Sequence, residues 1–104
     1  MQKTIDKIIA HAVEVAQPEK IILFGSVAEG KGDVYSDIDL LIVTDNISLK
    51  NFFIHQVKNF AREFSLSVDV LVYSESELTK ASLNATSFLS GVIKHGKIVY
   101  KKPD

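Results

Sequence analysis

The spacing of apolar residues predicts alternating helices and short strands. One helical stripe comprises Ile5, Ile8, Ile9, Ala12, Val13 and Ala16, and Pro18 ends that segment. A second stripe lies within Ser48 to Phe64 and comprises Phe53, Val57, Phe60, Ala61 and Phe64. The apolar runs predict strands over Lys20 to Phe24, Asp37 to Thr44 and Leu66 to Tyr73, with a short last strand in "KIVYK".

Two more helices are predicted after the third strand. Ser74 followed three residues later by Glu77 is a capping-box pattern for a short helix. The segment from Ser82 to Lys94 is predicted to be a final helix that ends near Gly96. This alternation predicts an α/β (α+β) fold, a small mixed sheet with helices packed mainly on one face.

Composition limits the kind of protein this is. The chain has 104 residues, enough for one domain over residues 1–104, and we see no repeat or linker. The formal net charge is −1, so we expect no strong nucleic-acid binding by this chain alone. It has no cysteine, no signal-peptide pattern and no apolar run long enough for a bilayer, so we expect a cytoplasmic location and no membrane partner.

A Gly-Ser turn follows the first strand and admits two interpretations. Ser26 and Glu29 fit a capping box for a short helix over Val27 to Glu29 that Gly30 ends, and such boxes are common. The same geometry suits a phosphate, because a helix N-terminus presents free N–H groups and glycine lets the backbone approach a ligand closely. The two interpretations are compatible, since a serine hydroxyl can both accept and donate a hydrogen bond.

Three aspartates lie in or beside apolar strands. Asp37 and Asp39 are two residues apart, so both side chains point to one face of their strand, and Asp69 lies inside the third strand. Taken alone, Asp37 fits a turn residue and Asp39 a surface residue. If the two strands are neighbours, three carboxylates meet on one face, and hard oxygen ligands of this kind suit Mg²⁺.

The ordered combination of "GSVAEG", "SDIDLLIV" and a later strand aspartate resembles the minimal nucleotidyltransferase family of the DNA polymerase beta-like superfamily. The resemblance covers nearly the whole chain and implies the polymerase beta palm-like fold. It implies that Asp37, Asp39 and Asp69 are catalytic and bind Mg²⁺, with two ions expected. It also implies that the nucleotide is held by Gly25, Ser26, Lys31 and Ser36.

The implied reaction is attack of an acceptor hydroxyl on the α-phosphorus of a nucleoside triphosphate, with ATP expected as the donor. The acceptor is a protein or a small molecule. Because the chain lacks the additional domain of larger relatives, we expect a partner protein to supply the acceptor surface. The resemblance points to a HEPN-type partner in a toxin–antitoxin pair, and a homo-oligomer is left open.

The chain departs from the family pattern in the short helix. Family members often carry arginine there, whereas this chain has Val27 and Glu29, and Glu29 places a negative charge near the expected triphosphate. Lys31 could replace the missing positive charge, although it lies beyond Gly30. The alternative function is therefore a catalytically weak binding protein on the same scaffold, an antitoxin that neutralises its partner by contact.

Overall fold

The computed structural model describes residues 2–31, 37–84 and 86–103, and its elements follow the predicted order closely. The helices are α1 (Gln2–Ala16), α2 (Gly25–Ala28), α3 (Lys50–Arg62), α4 (Glu75–Ser82) and α5 (Phe88–His95), with a 3₁₀ turn at Ile47–Leu49 before α3. The strands are β1 (Lys20–Phe24), β2 (Ile38–Val43), β3 (Val68–Tyr73) and β4 (Lys97–Lys101). None of the described helices is long and apolar enough to cross a membrane.

The four strands form one mixed sheet in the order β3-β2-β1-β4. β1 is antiparallel to both β2 and β4, whereas β2 is parallel to β3. A parallel pair needs a crossover connection, and α3 supplies it between the end of β2 and the start of β3. The predicted mixed α/β architecture is thus confirmed.

Helices cover both faces of the sheet, so that β2 is buried against apolar residues on both sides. Leu40 and Ile42 belong to the larger buried cluster, which lies under α1 and α3, while Leu41 and Val43 belong to a smaller cluster under α4 and α5. The same division explains why the sequence of β2 is continuously apolar rather than alternating. The long helices lie on one face, as predicted, and only the short ones cover the other.

The predicted final helix from Ser82 to Lys94 is wrong at its start. α4 continues to Ser82, the chain then turns, and α5 begins only at Phe88. The hydroxyl and the backbone N–H of Thr86 both donate to the Asn84 side chain, and Ser87 caps α5 by accepting from the Ser90 N–H. These short polar side chains compete with the helix for backbone groups, which ends one helix and starts another.

Candidate nucleotidyl-transfer site

Two of the predicted aspartates lie side by side near the start of neighbouring strands. In the parallel register of β2 and β3, Asp39 is directly opposite Asp69. Both belong to the face on which Leu41 and Leu71 contact the smaller cluster. Asp39 is half-buried and Asp69 is exposed. The condition for a shared site, that these strands be neighbours, is therefore met.

The surroundings of Asp39 disfavour its charged form. Burial raises the pKa of the Asp39 carboxyl, and the negative charges of Asp69 and Asp37 raise it further. A hydrogen bond with Asp69 acts in the same direction. Such crowding of carboxylates is relieved when a cation lies between them. The donor set, oxygen atoms of neighbouring carboxylates, fits a hard divalent cation such as Mg²⁺.

Asp37 lies immediately before β2 and is exposed. Its charge is close enough to affect the pKa of Asp39, but in the described part of the chain no three His, Cys, Asp or Glu side chains are grouped closely enough to hold a metal ion. The structure thus shows an adjacent pair, Asp39 and Asp69, with Asp37 next to it along the chain. A metal site made of all three carboxylates stays a prediction.

Gly25 connects the carboxylate pair to the Gly-Ser turn. Its φ of +79° lies in the left-handed region that side chains disfavour, and a Cβ atom built on it would overlap the Asp39 carboxylate. The end of β1 therefore passes directly against the charged end of Asp39. Only glycine allows both this backbone conformation and this close approach, so the sequence position of Gly25 has a definite physical reason.

Ser26 does not cap the short helix, which corrects the predicted capping box. α2 begins at Gly25, its N-cap position is Phe24, and no side chain makes a cap hydrogen bond. The left-handed turn at Gly25 starts the helical bonding one residue early, because the Glu29 N–H already bonds to the Gly25 carbonyl. The Ser26 hydroxyl is thus exposed and makes no cap hydrogen bond to α2, and its phosphate-binding role stays a prediction.

The other two predicted nucleotide-binding residues have different outcomes. Lys31 is exposed, and its backbone N–H donates to the Ser26 carbonyl at 2.9 Å, which keeps Lys31 next to the start of α2. Ser36 lies outside the described residues.

A depression with a volume of about 280 Å³ contains the carboxylate pair. It is lined by Phe24, Asp39, Lys58, Asp69, Val70, Leu71 and Phe88. Phe24 and Phe88 meet edge to face, with ring centroids 5.9 Å apart, and form an aromatic wall. Lys58 of α3, a helix on the other face of the sheet, also lines this depression.

The family model described as polymerase beta, nucleotidyltransferase matches residues 5–104. The chain belongs to this nucleotidyltransferase family. The resemblance read from the Gly-Ser turn and the aspartates is confirmed, and so is the fold that it implies.

Individual relatives agree with this family. A protein of Methanocaldococcus jannaschii named "putative protein adenylyltransferase" is 29% identical over 87 residues, which cover 79% of this chain and 58% of that protein. The chain thus matches little more than half the length of that relative. The crystal structure of a "putative nucleotidyltransferase" from Sulfolobus solfataricus has a TM-score of 0.63 and 27% identity, covering 98% of this chain and 81% of that one.

A third match is the crystal structure of a toxin–antitoxin complex with AMP-PNP. It has a TM-score of 0.57 and 22% identity, covering 93% of this chain and 73% of that one. At this identity the likeness supports the fold alone.

Two features of this nucleotidyltransferase were missed by sequence reasoning. Lys58 lies on α3, which packs on the opposite face of the sheet from the aspartates, and the aromatic wall joins the last residue of β1 to the first residue of α5. No local spacing in the sequence connects these residues to the Asp-x-Asp motif. The one available signal was their type, a cation and two aromatic side chains, and that is too common to select them.

Glu29 lies beside this candidate site. It lines a second depression, of about 240 Å³, together with Gly25 and residues of α5. Its lining consists of Phe24, Gly25, Glu29, Phe88, Gly91, Val92, His95 and Gly96. Phe24, Gly25 and Phe88 thus border both Glu29 and the carboxylate region, so the negative charge of Glu29 is near the predicted path of a triphosphate.

Proposed function

We propose that the domain transfers AMP from ATP to a hydroxyl group of a protein, in a reaction that depends on Mg²⁺. One observation carries the proposal: Asp39, paired with Asp69, lies against the backbone of Gly25 at the Gly-Ser turn. This arrangement puts the predicted phosphate-binding turn beside carboxylates that can hold a cation. The name of the M. jannaschii relative supports a protein as the acceptor and adenylate as the group transferred.

The chemistry balances as a single displacement. The acceptor oxygen attacks the α-phosphorus, a new phosphorus–oxygen bond forms, and the bond between the α-phosphorus and the bridging oxygen breaks as pyrophosphate leaves. The acceptor proton passes to the Asp69 carboxylate, which is exposed and so can reach an incoming hydroxyl. Gly25, Ser26, Lys31 and Ser36 bind the triphosphate in this proposal.

Asp37, Asp39 and Asp69 would hold the cation. Two Mg²⁺ ions bound there would supply charge stabilisation at the attacking and leaving oxygens. A cation would stabilise the charged form of the half-buried Asp39 most, because burial and both neighbouring aspartates disfavour that form.

The proposed partner is a HEPN-type protein. The structural likeness to a toxin–antitoxin complex agrees with such a pairing, and the partner is the first acceptor to test. A homo-oligomer would supply an acceptor surface in a different way, which analytical ultracentrifugation of the purified protein distinguishes.

The test is incubation of the purified protein with α-³²P-labelled ATP, Mg²⁺ and the protein encoded beside it. We expect the wild-type protein to transfer label to the partner, and we expect no label in the partner when Asp69→Asn replaces the wild type. Asp45→Asn is the matched control, because Asp45 is an exposed aspartate just beyond the far end of β2. Failure of the wild-type protein either to bind ATP or to label any acceptor would exclude the transferase function.

A contact antitoxin is the second candidate, and Glu29 favours it. The carboxylate of Glu29 lines the depression next to Gly25, where it opposes a triphosphate. In this case the protein neutralises its partner without nucleotide. Rescue of partner-inhibited growth by Asp69→Asn as effectively as by the wild type would favour contact over transfer.

A further inference from the structure

β3 is the outer strand of the described sheet on the side of the carboxylate pair. The carbonyls of Ser67 and Tyr73 accept bonds from the chain of β2, at Ile38 and Thr44. Successive residues of a strand direct their backbone N–H and C=O groups alternately toward one neighbouring strand and away from it. Since Ser67 and Tyr73 face β2, the backbone groups of Val70 and Val72 point away from β2. No backbone hydrogen bond between described residues engages these outward groups.

A groove runs along this outward edge. It consists of the depression that holds the carboxylate pair and an adjoining depression of about 240 Å³, and the two share Val70 and Leu71. One wall is formed by Ile47 of the 3₁₀ turn and by a row of residues on α3, namely Lys50, Asn51, Ile54 and Lys58. Glu77 of α4 and Phe88 of α5 form the opposite wall. We call this feature the β3 groove.

We propose that the β3 groove binds an extended segment of the acceptor protein as an added strand and thereby presents the acceptor hydroxyl to Asp69. The proposal rests on the proposed transferase function and names where its substrate binds. Residues opposite each other on neighbouring strands project to the same face. A residue of the added strand opposite Asp69 therefore points its side chain to the face that carries Asp39 and Asp69.

The two edges of the sheet differ in a way that favours β3. Proteins protect exposed edges with lysines, prolines and bulges. β4, the other edge, begins and ends with lysine and has an irregular register against β1. β3 has neither proline nor lysine, and its one charged residue is Asp69. The edge that lacks such protection is the edge at the candidate active site.

Two lysines of the groove predict where acidic residues lie in the bound peptide. Lys50 and Lys58 are eight residues apart on α3, which is about 12 Å along a helix. Side chains on one face of a strand repeat every ~6.8 Å, so residues four apart span a similar distance. We therefore expect acidic residues at two positions four apart. The hydroxyl residue points to the opposite face, next to the acid that pairs with Lys58.

The experiment uses a synthetic peptide library with a central Tyr, Ser or Thr and with Glu or Lys at the positions expected to face α3. Labelled AMP transfer is measured with Mg²⁺ and ATP. We expect the Glu peptides to be modified and the Lys peptides to be modified poorly. Equal modification of both sets, or a preference for the Lys set, would contradict the charge assignment.

Two exposed asparagines of α3 provide a matched pair of variants. Asn51 lines the β3 groove, whereas Asn59 does not. Asn51→Trp should fill the groove and raise the KM for the Glu peptides about tenfold, the effect of losing one well-packed contact. Asn59→Trp should leave this KM unchanged, and both variants should bind ATP as the wild type does.

A second pair tests the backbone bonds directly. Val70→Pro removes an outward N–H without removing a bond of the β2–β3 ladder. Lys101→Pro is the control on the opposite edge, because the neighbouring Lys102 N–H bonds inward to Glu19 and so Lys101 faces outward. We expect only Val70→Pro to impair peptide modification, with ATP binding retained.

The outcomes separate the two proposals. A wild-type protein that binds no ATP and modifies no acceptor overturns the transferase function and this inference together. If the wild type is active, and Asn51→Trp and folded Val70→Pro both have the same KM for the Glu peptides as the wild type, the inference alone is overturned. Hydrogen exchange gives a test without catalysis: slow exchange of the Val70 and Val72 amides in the free protein would show that the edge is already paired, which would also overturn the inference.

Discussion

At the scale of single residues, the candidate site depends on the contact between Gly25 and Asp39. The positive φ of Gly25 and its lack of a Cβ atom let the end of β1 meet the Asp39 carboxylate. A neighbouring glycine offers a comparison, because Gly30 has a similar φ of +75° but open space around its Cα. The two positions therefore separate backbone strain from steric overlap.

We expect Gly25→Ala to lose ATP binding and to destabilise the fold by more than Gly30→Ala. Strain of a left-handed alanine alone costs on the order of 1 kcal/mol, which both variants share. Only at residue 25 does the added methyl displace Asp39. Urea unfolding and ATP titration calorimetry measure the two effects. Equal stability and equal ATP affinity in both variants would show that the Gly25–Asp39 contact is unimportant.

Asp39 should make the stability of the metal-free protein depend on pH. Its pKa is raised in the folded state, so the folded protein binds this proton more tightly than the unfolded chain does. The contribution of Asp39 to the free energy of unfolding is therefore neutral or favourable at low pH, where its carboxyl is protonated. It is lost as pH rises from the ordinary aspartate pKa through the raised value, and above the raised value the charged carboxylate is unfavourable.

Asp39→Asn should consequently be more stable than the wild type at pH 7 in EDTA, by up to about 1 kcal/mol after solvent screening. The difference should shrink as pH falls, because the wild-type carboxyl then becomes neutral too. Urea unfolding at several pH values measures it, with Asp45→Asn as the control for loss of one charge. An advantage of Asp39→Asn that grows at low pH would have the wrong sign.

Glu29 is one of the two residues, with Val27, at which the short helix departs from the expected family pattern. Glu29→Arg should tighten binding of a non-hydrolysable ATP analogue with Mg²⁺, since repulsion is replaced by attraction near Gly25. Because α2 has no side-chain cap, the substitution should not cost a capping bond. Glu14→Arg, an exposed position on α1, controls for the change in net charge. Unchanged affinity in Glu29→Arg would place this side chain away from the phosphates.

At the scale of elements, α4 begins with a complete capping box. The Ser74 side chain accepts from the Glu77 N–H at 3.2 Å, and the Glu77 carboxylate accepts from the Ser74 N–H at 3.0 Å. The predicted box at Ser74 is thus confirmed, whereas the similar pattern at Ser26 is not used. The difference arises because Gly25 bends the chain before Ser26, and no such residue precedes Ser74.

Ser74→Ala should lower the free energy of unfolding by about 1 kcal/mol, the usual cost of a lost N-cap. Ser82→Ala is the matched control at the other end of α4, where the hydroxyl donates to the Thr79 carbonyl, a type of bond that adds little to helix stability. Chemical unfolding of the three proteins measures both. An equal loss in the two variants would mean that the cap contributes nothing specific.

At the scale of the whole molecule, the proposed cation site would link Mg²⁺ binding to folding. The carboxylate pair is built only when β2 and β3 are parallel neighbours, so a cation bound there stabilises the folded state by mass action. At a Mg²⁺ concentration 100 times its Kd this amounts to about 2.7 kcal/mol. Thermal melting with and without Mg²⁺, at fixed ionic strength, should show a shift in the wild type and a smaller one in Asp39→Asn. Asp45→Asn should keep the wild-type shift, and equal shifts in all three proteins would exclude Asp39 as a ligand.

The sequence by itself determined the identity of the elements and the family. Periodic apolar residues place α1 and α3, continuous apolar runs place the strands, and the order of Gly25, Asp39 and Asp69 indicates a nucleotidyltransferase. These features are local or sequential, so the chain reveals them directly. Ends set by competing polar side chains, as at Ser82 and Phe88, are less well determined because each competing bond is weak.

Only the tertiary structure decided which residues meet across the sheet. Strand order and parallel register bring Asp69 opposite Asp39, and the α3 crossover brings Lys58 to the same depression from the other face. It also leaves β3 at the edge, where its outward backbone groups form one side of the β3 groove. Asp39 and Asp69 are 30 positions apart in the chain. Periodicity carries no information over that distance, because it reports only which face a residue occupies.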